Sequence, residues 1–348
     1  MDIAKLDKNF AIDPQEIKKP DVKFHSIWEE PFKVYGVIFD NERIRRMPEE
    51  VANSVNEGVK LLHKNTAGGR VKFITDSPYV AVYAKLSMGK MAHFALAGSA
   101  GFDLTVYKDG KPRYAGSYIP HFGATEMLEG VVNVGEGKKE LLLTMPLYSG
   151  IKELYIGLAE SAVIEAPTPY RVEKPVVYYG SSITQGGCAS TPSTSYQALV
   201  SMALDCNYIN LGFSGNAKGE DNMSNYIKNL EMSAFVYDYD HNAPSTEHLQ
   251  NTHKRMFDII RSANPTLPII MMNRPKCYLN EDEKKRLEII ESTYIQAKAA
   301  GDKNVYLITN KELTELCLDR GTVDGCHPTD LGFASMAAAV IKVMKDIL

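Results

Sequence analysis

The residues VVYYGSSITQGG, 176 to 187, pass from an apolar β-branched and aromatic run straight into glycine, two serines and more glycine. The run reads as a strand, and the small residues read as the turn that ends it. Downstream the same grammar repeats. Strand-like NYINL, AFVYDY, LPIIMM and NVYLI alternate with helical STSYQALVSMAL, STEHLQNTHKRMFDIIRSA, EDEKKRLEIIESTYIQAKAA and TDLGFASMAAAVIKVMKDI. Strict alternation of strand and helix implies a parallel sheet covered by helices on both faces.

Upstream the period is different. From Trp28 to Ala166 the segments VKFITDS, YVAVYAKLS, FDLTVYKDGK, VVNVGEGKKELLLTM and ELYIGLAE alternate with period two, the mark of half-buried strands. Asp109-Gly110 tolerates the positive φ of a tight hairpin turn. Short punctuated strands of this kind suggest an antiparallel sandwich. One helix is expected within MPEEVANSVNEGVKLLHK, where Val51, Val55, Val59 and Leu62 share a face. The proline-bearing APTPYRVEKP, 166 to 175, separates the two regimes, so the expected domains are 1–168 and 169–348.

The charge balance excludes several partners. The 348 residues hold 39 Lys and Arg against 43 Asp and Glu, a net charge of −4 without a basic field for phosphate backbones or anionic lipid. Neither nucleic acid nor a membrane is an expected partner, and nothing decides for or against a homo-oligomer. Five cysteines, widely spaced and lacking a Cys-x-x-Cys pair, read as reduced thiols. The polar N-terminus MDIAKLDKNFAIDPQEIKK has no signal-peptide core, so the cytoplasm is expected, although a secreted chain trimmed of its leader would look the same.

In an open parallel sheet, ligands bind beyond the carboxyl ends of the strands. There the sequence places Gly180-Ser181-Ser182, then Gly212-Phe213-Ser214-Gly215-Asn216, then Asp240-His241-Asn242, and finally Asp324-Gly325-Cys326-His327-Pro328. Each is weak alone; together they supply what ester cleavage needs. A serine hydroxyl attacks only if a base takes its proton, and a carboxylate must hold that base in the right tautomer. His327 is the candidate base and Asp324 its orienter. The oxyanion that forms needs preset donors, each worth about 3–4 kcal/mol. The backbone N–H groups of Ser182 and Gly215 and the Asn242 amide are the candidates. Spacing does not choose between Ser181 and Ser182 as nucleophile.

These residues resemble the SGNH or GDSL hydrolase superfamily, named for blocks carrying Ser, Gly, Asn and His. Its Gly-Asp-Ser-Leu block is similar to Gly180-Ser181-Ser182-Ile183, which implies that Ser182 is the nucleophile and Ser181 stands for the aspartate. The family's glycine falls on Gly215, its asparagine on Asn242, and its Asp-x-x-His on Asp324 and His327. The third block departs from Gly-x-Asn-Asp, reading Asp240-His241-Asn242-Ala243. Gly101-Phe102-Asp103-Leu104-Thr105 resembles the Gly-x-Asp-Leu-Tyr string of one subgroup's leading sandwich, with its last position changed. The resemblance implies a flavodoxin-like α/β/α domain behind a jelly-roll-like sandwich, and a serine esterase that needs no cofactor and no metal. The expected substrate is a short-chain O-acyl ester, such as an acetyl ester, of a carbohydrate, small or oligosaccharide. A long-chain thioesterase or lysophospholipase, and an inactive carbohydrate-binding protein, are the alternatives.

Other chemistries are weaker. A thiolate at Cys188 or Cys326 needs a neighbouring cation that the sequence does not show. Asp238, Asp240, His241, His248 and His253 lack metal-ligand spacing, and the histidines read as surface residues. Gly186-Gly187 has no Walker lysine behind it, so a phosphate loop is set aside. Lys284-Lys285-Arg286 reads as a solvated helix face, the tyrosines as filling for the sandwich core, and Trp28 as packing.

Overall fold

A computed structural model describes residues 17–121 and 123–348, so most of the N-terminal segment lies outside the described residues. The period-two half forms two large antiparallel sheets and a small two-stranded one, Ile38–Asp40 with Arg43–Arg45. One large sheet runs Val22–Ser26, Gly150–Ala159, Tyr79–Ser87, Met127–Asn133; the other runs Ile164–Glu165, Arg70–Thr75, Lys139–Thr144, Phe102–Lys108, Lys111–Tyr118, with Lys33–Tyr35 also on Arg70–Thr75. Alternate residues of each sheet face the other. Val80, Val82, Ala84 and Leu86 meet Val71, Phe73, Leu141 and Leu143 in one core, each large side chain contributing about 1.5–3 kcal/mol by leaving water. Asp109 and Gly110 take φ of 53° and 71° at the tip of the expected hairpin.

The second half is a five-stranded parallel sheet in the order Cys206–Gly212, Val172–Gly180, Ala234–Asp238, Ile269–Met272, Val305–Ile308. In sequence terms that order is 2-1-3-4-5, the flavodoxin-like arrangement. The opening stretch shows why the sheet is buried on both sides. Val177 and Tyr179 enter one core cluster while Val176 and Tyr178 enter the other.

Four expectations change on folding. The single helix is two, Glu49–Val55 and Glu57–Leu62, because Asn56 adopts extended backbone (φ −164°) and its side chain accepts from Val59 N–H as a cap. Both pack in the core of the parallel sheet rather than of the sandwich, beside Phe213 and Met223. The fully buried tyrosines are mostly there too, namely Tyr178, Tyr179, Tyr196, Tyr208, Tyr237 and Tyr239. His253 is buried, not a surface residue, stacked on Tyr237 with Nδ1 2.9 Å from Thr293 Oγ1. Arg286, read as solvated, is also buried, and it serves the third loop described below.

The halves are joined by buried polar contacts. Arg70 lies 3.7 Å over the Tyr208 ring and donates to Asn207 and Tyr208. Arg46 donates to the carbonyls of Leu62, Asn210 and Gly212. Asp103, from the Gly-x-Asp-Leu string, accepts from Ser193 N–H at 2.8 Å. Arg70 and Arg46 thus dock the sandwich half along the edge strand Cys206–Gly212, Arg46 at its carboxyl end, and Asp103 docks it on the segment before the helix Tyr196–Leu204.

Candidate active site

The strand Val172–Gly180 ends under the first turn. Gly180 is obligatory because a Cβ there would overlap Asp238 Oδ1 and Thr184 Oγ1. Ser181 caps the short helix Ser182–Gln185, its Oγ accepting from Ile183 N–H at 3.2 Å, and it is fully buried. That hydroxyl is spent on local structure. Ser182 is the serine that meets an imidazole, with Oγ 3.0 Å from His327 Nε2.

The other ring nitrogen, Nδ1, is 2.7 Å from Asp324 Oδ2. Asp324 Oδ1 accepts the backbone N–H groups of His327 (2.7 Å) and Cys326 (3.0 Å), so the Asp-x-x-His turn is closed on its own carboxylate. Burial works to raise this carboxyl, but the His327 ring and the two N–H donors outweigh it and hold it at about 2. Asp324 is therefore an anion at neutral pH, facing an imidazole whose far nitrogen faces a hydroxyl.

Three backbone and side-chain donors lie on the neighbouring loops. Ser182 N–H, Gly215 N–H and the Asn242 amide nitrogen have no acceptor among the described residues. The loops that carry them are tied together. Phe213 N–H donates to Gly180 O at 2.8 Å, Ser214 N–H to Gln185 Oε1 at 3.1 Å, and Ala217 N–H to Asn242 Oδ1 at 3.3 Å. Gly215 has φ of 69°, a conformation that glycine adopts without strain.

The altered third block is held by charge. Arg274 Nε lies 2.9 Å from Asp240 Oδ2 and its NH1 3.1 Å from Glu283 Oε1, while Lys276 Nζ sits 2.7 Å from Glu283. Arg286 adds bonds to the carbonyls of Asp240 and Ala243 at 2.8 and 3.0 Å. Asn242 lies between those two carbonyls. The set Asp238, Asp240, His241, His248 and His253 does not gather: Asp240 faces Arg274, His248 bonds to Lys218 O, and His253 points into the core. Asp238 lies beneath the nucleophile turn with Thr184 donating to it, and burial lifts its carboxyl to about 8.

The thiols are not poised to attack. Burial first, then the nearby Asp324 carboxylate, pushes Cys188 up to about 11, and the same influences raise Cys326. The sandwich contributes two side chains that no local pattern in the sequence announces. Tyr148 donates its hydroxyl to Ser182 O at 3.1 Å, and His93 brings Nε2 to 4.0 Å from Asp324 Oδ2 with its ring centroid 5.6 Å from that of His327. A hollow of about 400 Å³ lined by Lys90, Met91, Ala92, Phe94 and Leu96 flanks His93. Larger hollows of about 530 and 540 Å³ lie elsewhere, against Phe257 and Ala339, and their walls contain neither Ser182 nor His327. A hydroxyl, an imidazole and a carboxylate in this line, with free donors on adjoining loops, can carry out base-assisted attack on a carbonyl.

Comparison with known proteins agrees with this architecture. Residues 173–345 match the model of the GDSL-like lipase/acylhydrolase family, and residues 22–164 match that of the N-terminus of SGNH-hydrolase-type esterases, named for Gly-x-Asp-Leu-Tyr. Similar solved structures include a protein assigned as a GDSL-like lipase from Bacteroides ovatus, 29% identical with a TM-score of 0.84, covering 94% of this chain and 98% of that one. A salicylyl-acyltransferase from a tetracycline biosynthetic pathway is 20% identical with a TM-score of 0.75 over 94% and 98% of the two chains. A family two carbohydrate esterase from Clostridium thermocellum, in complex with cellohexaose, is 16% identical with a TM-score of 0.57 over 80% and 92%. No curated protein matches the chain.

Proposed function

This chain belongs to the GDSL-like lipase/acylhydrolase family of SGNH-type esterases, and from that premise we propose that Ser182 attacks the carbonyl of a short-chain O-acyl ester of a carbohydrate. His327 Nε2 takes the Ser182 proton as the Oγ–carbonyl bond forms, and Asp324 stabilises the resulting imidazolium through Nδ1. The negative charge moves onto the former carbonyl oxygen, where the Ser182 and Gly215 N–H groups and the Asn242 amide receive it. His327 then returns the proton to the departing sugar oxygen, leaving acyl-Ser182. Water, deprotonated by the same imidazole, releases the acid and restores the serine.

The observation that carries the esterase chemistry is the unbroken line from Ser182 Oγ through the imidazole to Asp324, at 3.0 and 2.7 Å. A bulky polar alcohol is favoured by exposure. The His327 and Asp324 side chains are 24% and 35% accessible, so the outer members of the triad lie at the surface, where a saccharide chain can approach. Substrates named for proteins of similar fold, cellohexaose-bound and acetyl-xylan esterases, point the same way. The test is a p-nitrophenyl ester series from acetyl to octanoyl, run beside acetylated oligosaccharides. Turnover is expected to be highest with acetyl, to extend to the acetylated sugars, and to drop on the order of 10⁴ to 10⁶ in Ser182→Ala. Rates rising with chain length, or an unaltered rate in that variant, would reject the proposal.

A further inference from the structure

Among the described residues, one group of three side chains has metal-ligand chemistry, and it is not the set that the sequence raised. His93, Cys188 and His327 each present a ligand atom, all within 4.8 Å of one another. They come from three separate places: the sandwich loop before Leu96–Ser99, the segment after Ser182–Gln185, and the Asp-x-x-His turn. Two imidazoles and a thiol are the donor set of borderline and soft divalent cations, zinc above all, rather than of magnesium or calcium.

The geometry points to an inhibitory zinc site in which His93, Cys188 and His327 close on one ion and remove the imidazole from the proposed catalytic triad. Nδ1 of His327 is already engaged by Asp324, so the nitrogen open to an ion is Nε2, the one that faces Ser182. The Nε2 lone pair cannot serve the metal and the serine proton together. Coordination therefore breaks the Ser182–His327 hydrogen bond without moving the carboxylate, which remains the outer partner that orients a zinc-bound histidine. At Cys188 the S–H bond breaks, the sulfur keeps the electron pair for the metal, and the proton passes to solvent; no oxidant or reductant takes part.

The fit requires a modest movement. Zn–N and Zn–S bonds of ordinary length place tetrahedral ligand atoms roughly 3.3–3.6 Å apart, so no present separation, each within 4.8 Å, has to shrink by more than roughly 1.2–1.5 Å. The His93 side chain has freedom to supply it, being 44% accessible. Three protein ligands leave the fourth position to water. Asp324 Oδ2, 4.0 Å from His93 Nε2, adds negative charge at the edge of the site.

The inference rests on the proposed esterase reading only for the loss of turnover; binding of the ion does not. The first arm measures p-nitrophenyl acetate hydrolysis against zinc chloride, with reversal by EDTA, in wild type, His93→Ala and Cys188→Ser, each relative to its own zinc-free rate. The half-inhibiting zinc concentration is expected to rise at least about tenfold in both variants, since losing even an outer-shell partner costs 10–100-fold. Equal sensitivity in all three proteins would overturn the site. The second arm titrates cobalt(II) into the same proteins and reads the thiolate-to-cobalt charge-transfer absorption. That band is expected in wild type and Cys326→Ser and absent in Cys188→Ser. No band in wild type, or one that persists in Cys188→Ser, would also overturn it. A protein that hydrolyses nothing yet shows the Cys188-dependent band would refute the esterase proposal and support the ion site.

Discussion

Replacing Arg274 by methionine isolates the ion network that holds the third active-site loop. Asp240 is 1% accessible and Glu283 7%, and Arg274 lies between them at 2.9 and 3.1 Å. Glu283 keeps Lys276 at 2.7 Å, so the charge stranded by the change is chiefly Asp240, whose Oδ1 already has no partner. Removing one member of a buried pair costs about 3–5 kcal/mol. With unfolding entropy near 2.1 cal/mol/K per residue, 348 residues give ~0.7 kcal/mol/K, so that loss lowers Tm by about 4–7 °C. Activity falls as well. Asn242, the proposed oxyanion donor, sits between the carbonyls that Arg274 and Arg286 hold, and misplacing such a donor is expected to lower kcat about 10²- to 10³-fold with KM nearly unchanged. Scanning calorimetry and steady-state kinetics read the two effects. The double variant Asp240→Asn/Arg274→Met removes the stranded charge and is expected to recover much of the Tm but not the kcat. An Arg274→Met protein that melts and turns over like wild type would refute the role given to this network, and so would a double variant less stable than the single one.

Two further outcomes follow from the site. In Gly187→Ala the new Cβ would lie 3.0 Å from Ser182 O and Tyr148 Oη and 3.2 Å from His327 Cδ2; a shift of a few tenths of an ångström in the ring should lower kcat roughly tenfold, and Tyr148→Phe in the same chain, by vacating space, should return part of it. Kinetics that match wild type would show that the turn is looser than described. For Asp324 the folded carboxyl is held at about 2, below its ordinary 3.8. Its contribution to stability is therefore complete above about 4 and is lost as pH falls through about 2. The stability difference between wild type and Asp324→Asn should shrink over that window, read by urea melts at a series of pH values, and a constant difference would contradict the assignment.

What was legible in the sequence had a local cause. The change of hydrophobic period marked the passage from sandwich to parallel sheet, because alternation and strand–helix repetition follow from which faces are buried. Asp324 and His327 were readable since a three-residue spacing brings the carboxylate to Nδ1 within one turn. The misread elements depended on partners far along the chain. Arg286 looked solvated beside two lysines, yet it is drawn inward by carbonyls of residues 240 and 243. His253 takes its place from the aromatic wall of Tyr237 and Tyr239. The helix expected from the valine spacing is broken at Asn56, whose extended backbone and capping side chain that spacing alone does not reveal. His93 and Tyr148 had no signal near them, because only the docking of sandwich on sheet, through Asp103, Arg46 and Arg70, brings their loops to Ser182 and His327.

The most direct measurement is to trap the acyl-enzyme: mix the protein with p-nitrophenyl acetate, quench in acid within the first turnovers, and locate the added acetyl group by peptide mass spectrometry. The account predicts one acetyl on Ser182, absent from Ser182→Ala and greatly slowed in His327→Ala. Acetylation of Ser181 or Cys188 instead, or turnover continuing in Ser182→Ala, would contradict it.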